Sequence, residues 1–429
     1  LQTASPALPA RPGRPKLLQV FGPGLITGAS DYDPSGIATY SQVGAQFGYG
    51  LAWTLLFSYP LMCAIQEISA RIGGVTGAGI AGNLRKHYPA WLLNSIVALL
   101  IIANTINIGA DLGAMGAALK LLIGGPQWLY IALFAGASTL LEIFLRYSRY
   151  VSVLKWLTLS LFAYVLTAFV VDVRWADVGH SLVAPSLSFK TDYIVAVVAV
   201  LGTAISPYLF FWQAGEEVED EQERPGAEPL KQAPNQAHVE LSRIRIDTYL
   251  GMAISNLIAL FIVITTAATL SAHGITDIQT SSQAAEALRP IAGDFAFAVF
   301  AAGIIGTGPL TLPVLAGSAA YALGEARGWS VGLARKAGEA KAFYGALALA
   351  TLIGAVMNFT PIDPIKALFW SAVVNGVAAA PIMAMMMILT MRRDVMGQFT
   401  LPRPLQAIGW LATAVMGLTI VAMAATPFL

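Results

Sequence analysis

Apolar runs of about 20 residues recur along almost the whole chain, separated by short polar stretches, and this block pattern is the one that membrane-crossing helices require. Eleven spans are predicted, at residues 20–46, 51–70, 91–119, 128–145, 150–171, 192–215, 246–270, 291–321, 342–358, 365–390 and 405–427. Two of them are interrupted. The first carries Asp33-Pro34-Ser35-Gly36 at mid-depth, which combines a carboxylate, a helix breaker and a glycine. The sixth carries Gly202-Thr203-Ala204-Ile205-Ser206-Pro207-Tyr208, a second mixture of small, polar and breaking residues.

A proline inside a membrane helix is often an ordinary kink, and that reading holds for either break alone. Two breaks five spans apart carry more information, because the second unit then starts from the opposite side of the membrane. That is the signature of an inverted-topology repeat with a site at the midplane, as in secondary transporters of the LeuT type. The predicted class is therefore an all-α polytopic membrane protein with a 5+5 inverted repeat and discontinuous helices 1 and 6. Its expected divisions are a tail at 1–16, a first repeat at 17–171, an external loop at 172–191, a second repeat at 192–391 and a last span within 392–429.

Composition agrees: 56% of the 429 residues are hydrophobic and only 11% are charged, and mean hydropathy is +0.67. Such a chain is far from soluble composition, and its principal partner is the lipid bilayer. Nothing in it points to nucleic acid. Positive charge is distributed unevenly between the two faces. With a cytoplasmic N-terminus, Lys120, Arg174, Lys190, Arg289 and Lys366 fall outside and the other 20 of the 25 Lys and Arg fall inside, as the positive-inside rule requires. A bacterial inner membrane is the expected location. The basic, Pro-rich start has no small-residue cleavage site before the Asp-Pro break, so it is read as a retained first helix rather than a signal peptide. Cys63, the single cysteine, can form no intrachain disulfide and is assigned to packing.

A carboxylate in hydrocarbon costs roughly 2.5 to 3.5 kcal/mol even on the most lenient insertion scale, so Asp33 is expected to face a cation or a wet cavity. Asn104, Asn107 and Asp111 share one face of the third span by their spacing of three and four residues. Interhelical hydrogen bonding or a place on the permeation path would each explain that stripe. Asn375, at mid-depth in the tenth span, is open to the same two explanations. Asp31 is expected to point away from Asp33, since residues i and i+2 do not share a helical face. Glu67 and Glu142 lie near span ends, within reach of Arg71 and Arg146. The acidic run from Glu216 to Glu223 is read as a solvated helix end and loop. Thr307, Pro309, Thr311 and Pro313, with the glycines around them, are read as close packing in the eighth span. His87, His180, His238 and His273 all lie in loops or near span ends, which leaves no mid-membrane histidine to titrate. No HExxH, paired-Cys or phosphate-loop motif occurs, and enzymatic function is not expected.

Gly22-Pro23-Gly24-Leu25-Ile26-Thr27-Gly28-Ala29-Ser30-Asp31-Tyr32-Asp33-Pro34-Ser35-Gly36 resembles the first helix of the Nramp divalent-metal transporters, and the resemblance extends over nearly the entire chain. It implies the eleven-span LeuT-like fold and a transported divalent cation, with no cofactor. In that family the Asp and Asn of Asp-Pro-Gly-Asn bind the metal, and a Met-Pro-His triplet in the sixth helix supplies a thioether and a histidine. Here Asp33 is kept, Gly36 stands where the Asn belongs, and Ser206-Pro207-Tyr208 replaces the triplet. These departures resemble the Nramp-related magnesium transporter branch. The third span carries Ile108 and Asp111 where the family has an Asp and a Glu, so half of its acidic relay is missing.

Donor chemistry points the same way, because thioethers select softer metals whereas carboxylate, hydroxyl, carbonyl and water suit Mg2+, Ca2+ and Mn2+. The expected metal site is Asp33, with carbonyls near Thr203 and Ala204, the Ser206 hydroxyl, and Gly36 leaving room for a hydration water. Ser35, Asp31, Tyr208, Asn107, Asp111 and Asn375 are expected on the path or around the site. The function expected is import of a hard divalent cation, Mg2+ first and Mn2+ second, by alternating access with weak or no proton coupling. Alternatives are a proton-coupled Mn2+/Fe2+ transporter, a LeuT-fold carrier of an organic cation or amino acid using the aromatics Tyr208, Phe210, Phe211 and Trp212, or a membrane receptor that binds metal without moving it.

Overall fold

The computed structural model describes residues 23–31, 33–144, 161–278, 281–359 and 363–426. Its described residues form helices and connecting turns. The first predicted span is two helices, α1 (Pro23–Ser30) and α2 (Pro34–Phe47). The next run α3 (Ala52–Thr76), α4 (Ile80–His87), α5 (Ala90–Ile123) and α6 (Gln127–Phe144). Only the end of the fifth span is described, as α7 (Phe162–Val170); its earlier part, with the Arg146 expected to meet Glu142, lies outside the described residues. A short α8 (Trp175–Val183) leads to the second broken span, α9 (Thr191–Ala204) and α10 (Pro207–Glu223). There follow α11 (Ala237–Thr269), the short α12 (Ser281–Glu286) and α13 (Arg289–Ala292), then α14 (Ala296–Arg327), α15 (Lys341–Met357), α16 (Pro364–Met391), α17 (Arg393–Met396) and α18 (Arg403–Ala425). Seven segments among the described residues are long and apolar enough to cross a membrane by length and composition.

Each break has a local cause. Proline at the first position of a helix has no donor to leave unpaired, and its fixed φ suits a helix start. Pro34 and Pro207 both sit there, after Asp33 and Ser206 in extended conformation. Asp363-Pro364 starts α16 in the same way, the Asp363 carboxylate accepting from the amide of Ile365 at 2.9 Å. By contrast Pro309 and Pro313 lie inside an unbroken α14. There the tight packing expected of the small residues holds: a Cβ on Gly308 would come within 2.3 Å of the Met115 sulfur, and one on Gly317 within 2.9 Å of the Trp212 ring.

The broken helices occupy the middle of the bundle. The most apolar stretch through α9 and α10 is almost wholly buried, whereas α6 and α18 leave most of their apolar windows unburied, as lipid-facing helices do. α1 lies along α11, α9 along α16, and α5 against both α14 and α16. These contacts are close because glycines meet backbone. A Cβ on Gly28 would lie 2.4 Å from the Gly251 carbonyl carbon, and one on Gly202 would lie 2.1 Å from the Ala372 oxygen and 2.5 Å from the Gly376 nitrogen. Small residues at crossings let membrane helices approach in this way.

The acidic run is a helix end, as expected, but not a solvated one. α10 continues through it to Glu223, and buried Glu217 is ion-paired with Arg243 of α11. Arg243 also meets Glu240 at 3.0 Å, and Arg224 pairs with Glu240 at 2.9 Å and Asp220 at 3.0 Å. Glu219 accepts from the Tyr321 hydroxyl and from the amides of Leu333 and Ala334 at 2.6 and 3.1 Å. Glu325 accepts from the amides of Gly79 and Gly82 at 2.8 and 2.9 Å, at the start of α4. The run became helix because its charges find partners on neighbouring elements at this end of the bundle. Glu67 pairs with Arg71 at 2.6 Å, as anticipated, and Glu142 accepts from Ser138 at 2.6 Å.

Removing one partner of a buried ion pair leaves an uncompensated charge, which typically costs about 3–5 kcal/mol. Arg243→Ala is therefore expected to lower unfolding stability in detergent by about that amount, and adding Glu217→Gln to restore most of it. Equal stability of the single and double variants would show that Glu217 does not depend on this pairing.

Candidate functional site

Where α1 and α9 end and α2 and α10 begin, backbone groups lose their helical partners, and side chains replace them. Asp33 is the N-cap of α2. Its Oδ1 accepts from the Gly36 amide at 2.6 Å, so half of the carboxylate closes the helix start. Its Oδ2 accepts from the Ser35 hydroxyl at 2.6 Å, from Asn107 Nδ2 at 3.0 Å and from the Tyr208 hydroxyl at 3.5 Å. Asp33 is 2% exposed.

α5 supplies the other acidic group. Asn107 Nδ2 also donates to Asp111 Oδ2 at 3.4 Å, so one amide bridges two buried carboxylates. Asn375 of α16 donates from Nδ2 to Asn107 Oδ1 at 3.2 Å, which ties α2, α5 and α16 together. The polar stripe on α5 divides between the two roles open to it. Asn104 donates to the Leu315 carbonyl at 2.8 Å and the Ser318 hydroxyl at 2.7 Å on α14, an interhelical bond, whereas Asn107 and Asp111 join Asp33. Among the described residues no Lys, Arg or His forms an ion pair with Asp33 or Asp111.

The second break contributes less directly than expected. The Ser206 hydroxyl turns back onto its own chain, donating to the Gly202 and Thr203 carbonyls at 2.7 and 2.9 Å. It thus satisfies carbonyls released where α9 ends at Ala204, and only its lone pairs remain for a ligand. Thr203 approaches Gly36, and its buried hydroxyl has no hydrogen-bond partner. Gly36 lies where the α2 backbone comes close to α9. A Cβ there would lie 3.2 Å from Asp33 Oδ1, 3.3 Å from the Thr203 methyl and 3.4 Å from the Asp31 carbonyl. Its missing side chain is used for close approach of α2 to α9.

Asp31 faces away from this group and accepts from Ser255 of α11. Two contributions were not anticipated. One is Asp247 of α11, whose carboxylate accepts from the Gly24 amide at 2.6 Å at the start of α1. The other is the capping role of Asp33, which Asp followed by Pro at a helix start could have signalled. Asp33, Ser35, Tyr208, Asn107, Asp111 and Asn375 therefore converge, with Gly36 and Thr203 beside them. Oxygen dominates the donors, and buried oxygens of Asp111, Asn375 and Thr203 have no partner. A hard cation is the ligand that such a group can hold.

The family model described as Nramp, natural resistance-associated macrophage protein-like, matches residues 24–426. The chain is 27% identical over 310 residues to the divalent metal cation transporter MntH of Yersinia enterocolitica, covering 70% of this chain and 71% of that protein. Identity to the MntH of Yersinia pestis is also 27%, over 305 residues and 70% of each chain. Among solved structures, a manganese transporter of Eremococcus coleocola superposes with a TM-score of 0.75 at 17% identity, covering 96% of this chain and 86% of that one. Mhp1, a nucleobase-cation-symport-1 family transporter, superposes with a TM-score of 0.54 at 13% identity, over 95% and 92% of the two chains. These structural likenesses establish a LeuT-type fold.

Capping and charge at Asp33 can be separated by substitution. Asn and Ser cap nearly as well as Asp, whereas Ala loses the acceptor at a cost of about 1 kcal/mol. In metal-free buffer Asp33→Asn and Asp33→Ser, which keep an acceptor for the Gly36 amide, are expected to be more stable than Asp33→Ala by about 1 kcal/mol. An identical loss in all three would mean that the cap contributes nothing to stability.

Proposed function

The chain belongs to the Nramp family, and from that premise we propose that it is a transporter, not an enzyme, importing a hard divalent cation by alternating access, with Mg2+ first and Mn2+ second. The observation that carries this proposal is the buried Asp33 carboxylate at the break between α1 and α2, which accepts from side chains of α5 and α10 and pairs with no cationic residue among the described residues. Relatives that are named divalent metal cation transporters support the class of cargo. The donor set supports the hard end of that class: the sixth span offers the Ser206 hydroxyl and main-chain carbonyls and has no thioether at this position. The preference for Mg2+ rests on donor hardness. Manganese remains the runner-up, and the name of the Eremococcus coleocola protein favours it.

Asp33 is the anionic ligand in this scheme, and the carbonyls of Thr203 and Ala204 and the lone pairs of Ser206 complete the set when the second break rearranges. Residues 17–171 and 192–391 are the two units that rock about the site. The charge pattern favours a cytoplasmic N-terminus and a bacterial inner membrane. All four histidines lie towards the ends of the helices or between them, so proton coupling is weak or absent. An organic-cation carrier is disfavoured because the aromatics of α10 are packed into the core instead of lining an open pocket.

Reconstituted into proteoliposomes, the native chain is expected to take up Mg2+ and Mn2+, and Asp33→Asn to abolish that uptake. Absence of native uptake of either ion would overturn the proposal. Internal pH recorded during the same flux should stay level, and a metal-driven acidification would reassign the protein to proton-coupled transport. Ser206→Met adds a thioether and is expected to move selectivity towards Cd2+. Unchanged selectivity would mean that this position does not touch the ion.

A further inference from the structure

The Asn107 amide occupies an unusual position. Its Nδ2 lies 3.0 Å from Asp33 Oδ2 and 3.4 Å from Asp111 Oδ2, while its Oδ1 accepts from Asn375. A neutral N–H group thus stands between two buried carboxylates that pair with no cationic residue among the described residues. Two carboxylates together carry the charge that one divalent ion balances, and an amide carries none.

We propose that Asn107 holds the place of the cation, and that Asp111 becomes the second anionic ligand once the ion displaces the amide. This rests on the divalent-cation reading above and extends it to α5. Oxygen ligands approach such ions at about 2.0–2.6 Å, so an ion between Asp33 and Asp111 requires the Asn107 N–H to leave. Rotation of the amide by half a turn removes the donor and presents Oδ1 to the ion as a third oxygen. Asn107 Nδ2 then points at Asn375, whose Oδ1 is buried and without a partner. A matching half-turn of Asn375 accepts that donor, so the hydrogen bond between the two amides is kept with its direction reversed. Asp111 Oδ2, released by the amide, gains the ion. Without a cation the rotated state sets a carbonyl against two carboxylates and is repelled. The ion therefore selects between two arrangements of the same polar chain from α2 through α5 to α16.

The test uses the full-length chain, with Mn2+ and Cd2+ as probes of uptake and of metal-dependent rise in unfolding temperature. Asp111→Asn is expected to raise KM for Mn2+ by about tenfold or more, in the range of disturbed metal sites. Asp111→Cys is expected to shift preference from Mn2+ towards Cd2+ by about tenfold, since thiolate selects softer ions. A residue that only supports the site would weaken both ions alike. Asn107→Asp cannot donate to the carboxylates but can ligate, so it is expected to be less stable without metal and to gain more from Mn2+ than the native chain does. If Asp111→Asn fails to fold, the metal preference of Asp111→Cys decides. Native KM in Asp111→Asn with no Cd2+ gain in Asp111→Cys, while Asp33→Asn is inactive, would overturn this inference and leave the transport reading standing. No Mn2+ uptake or stabilisation in the native chain would overturn both.

Discussion

Helices that break in the middle of an apolar bundle release amides and carbonyls where no water is available, and every one of those groups must find a partner. The centre of this protein is organised by that demand. Pro34 and Pro207 begin their helices without contributing a donor. The Asp33 carboxylate takes the Gly36 amide, and the Ser206 hydroxyl takes the Gly202 and Thr203 carbonyls. What remains unspent is one face of Asp33, together with whatever neighbouring helices can aim at it. A capping residue whose second oxygen faces other helices is thus also the origin of the candidate site.

Close packing decides which neighbours reach that oxygen. Gly28 against Gly251 seats α1 on α11, and Gly202 against Ala372 and Gly376 seats α9 on α16. Helices brought this near carry short polar side chains into contact, so Asn107 and Asn375 can span the distances between α2, α5 and α16. Gly36 belongs to the same economy of space, since its bare Cα admits Thr203. The outer helices α6 and α18 have no such duty and leave their apolar faces exposed.

Most of the fold was legible because hydropathy blocks of membrane length have few alternative explanations. Both breaks were legible as well, since Pro beside Asp or Ser inside such a block has a strong local meaning. The site was legible in part. Asp33, Asn107, Asp111, Asn375 and Tyr208 were picked out as polar groups at apolar depth, and they meet. Helical spacing placed Asn104 on the same stripe as Asn107, yet it bonds to α14 because the stripe is wider than the site. The acidic end of α10 was misread because Glu217 finds Arg243, 26 residues later in the chain. Charge density alone says nothing about such a partner.

By itself the sequence determined the class of protein and the two interruptions, because each depends on residues near one another in the chain. Tertiary structure alone decided that Gly36 packs against Thr203, that Ser206 bonds to its own backbone, and that Asn107 lies between Asp33 and Asp111. Each of those outcomes depends on how helices distant in sequence cross, at separations where a single Cβ or a single amide hydrogen changes the result. Periodicity can put a side chain on a face of its helix, but the depth and angle of the crossing settle what that face meets.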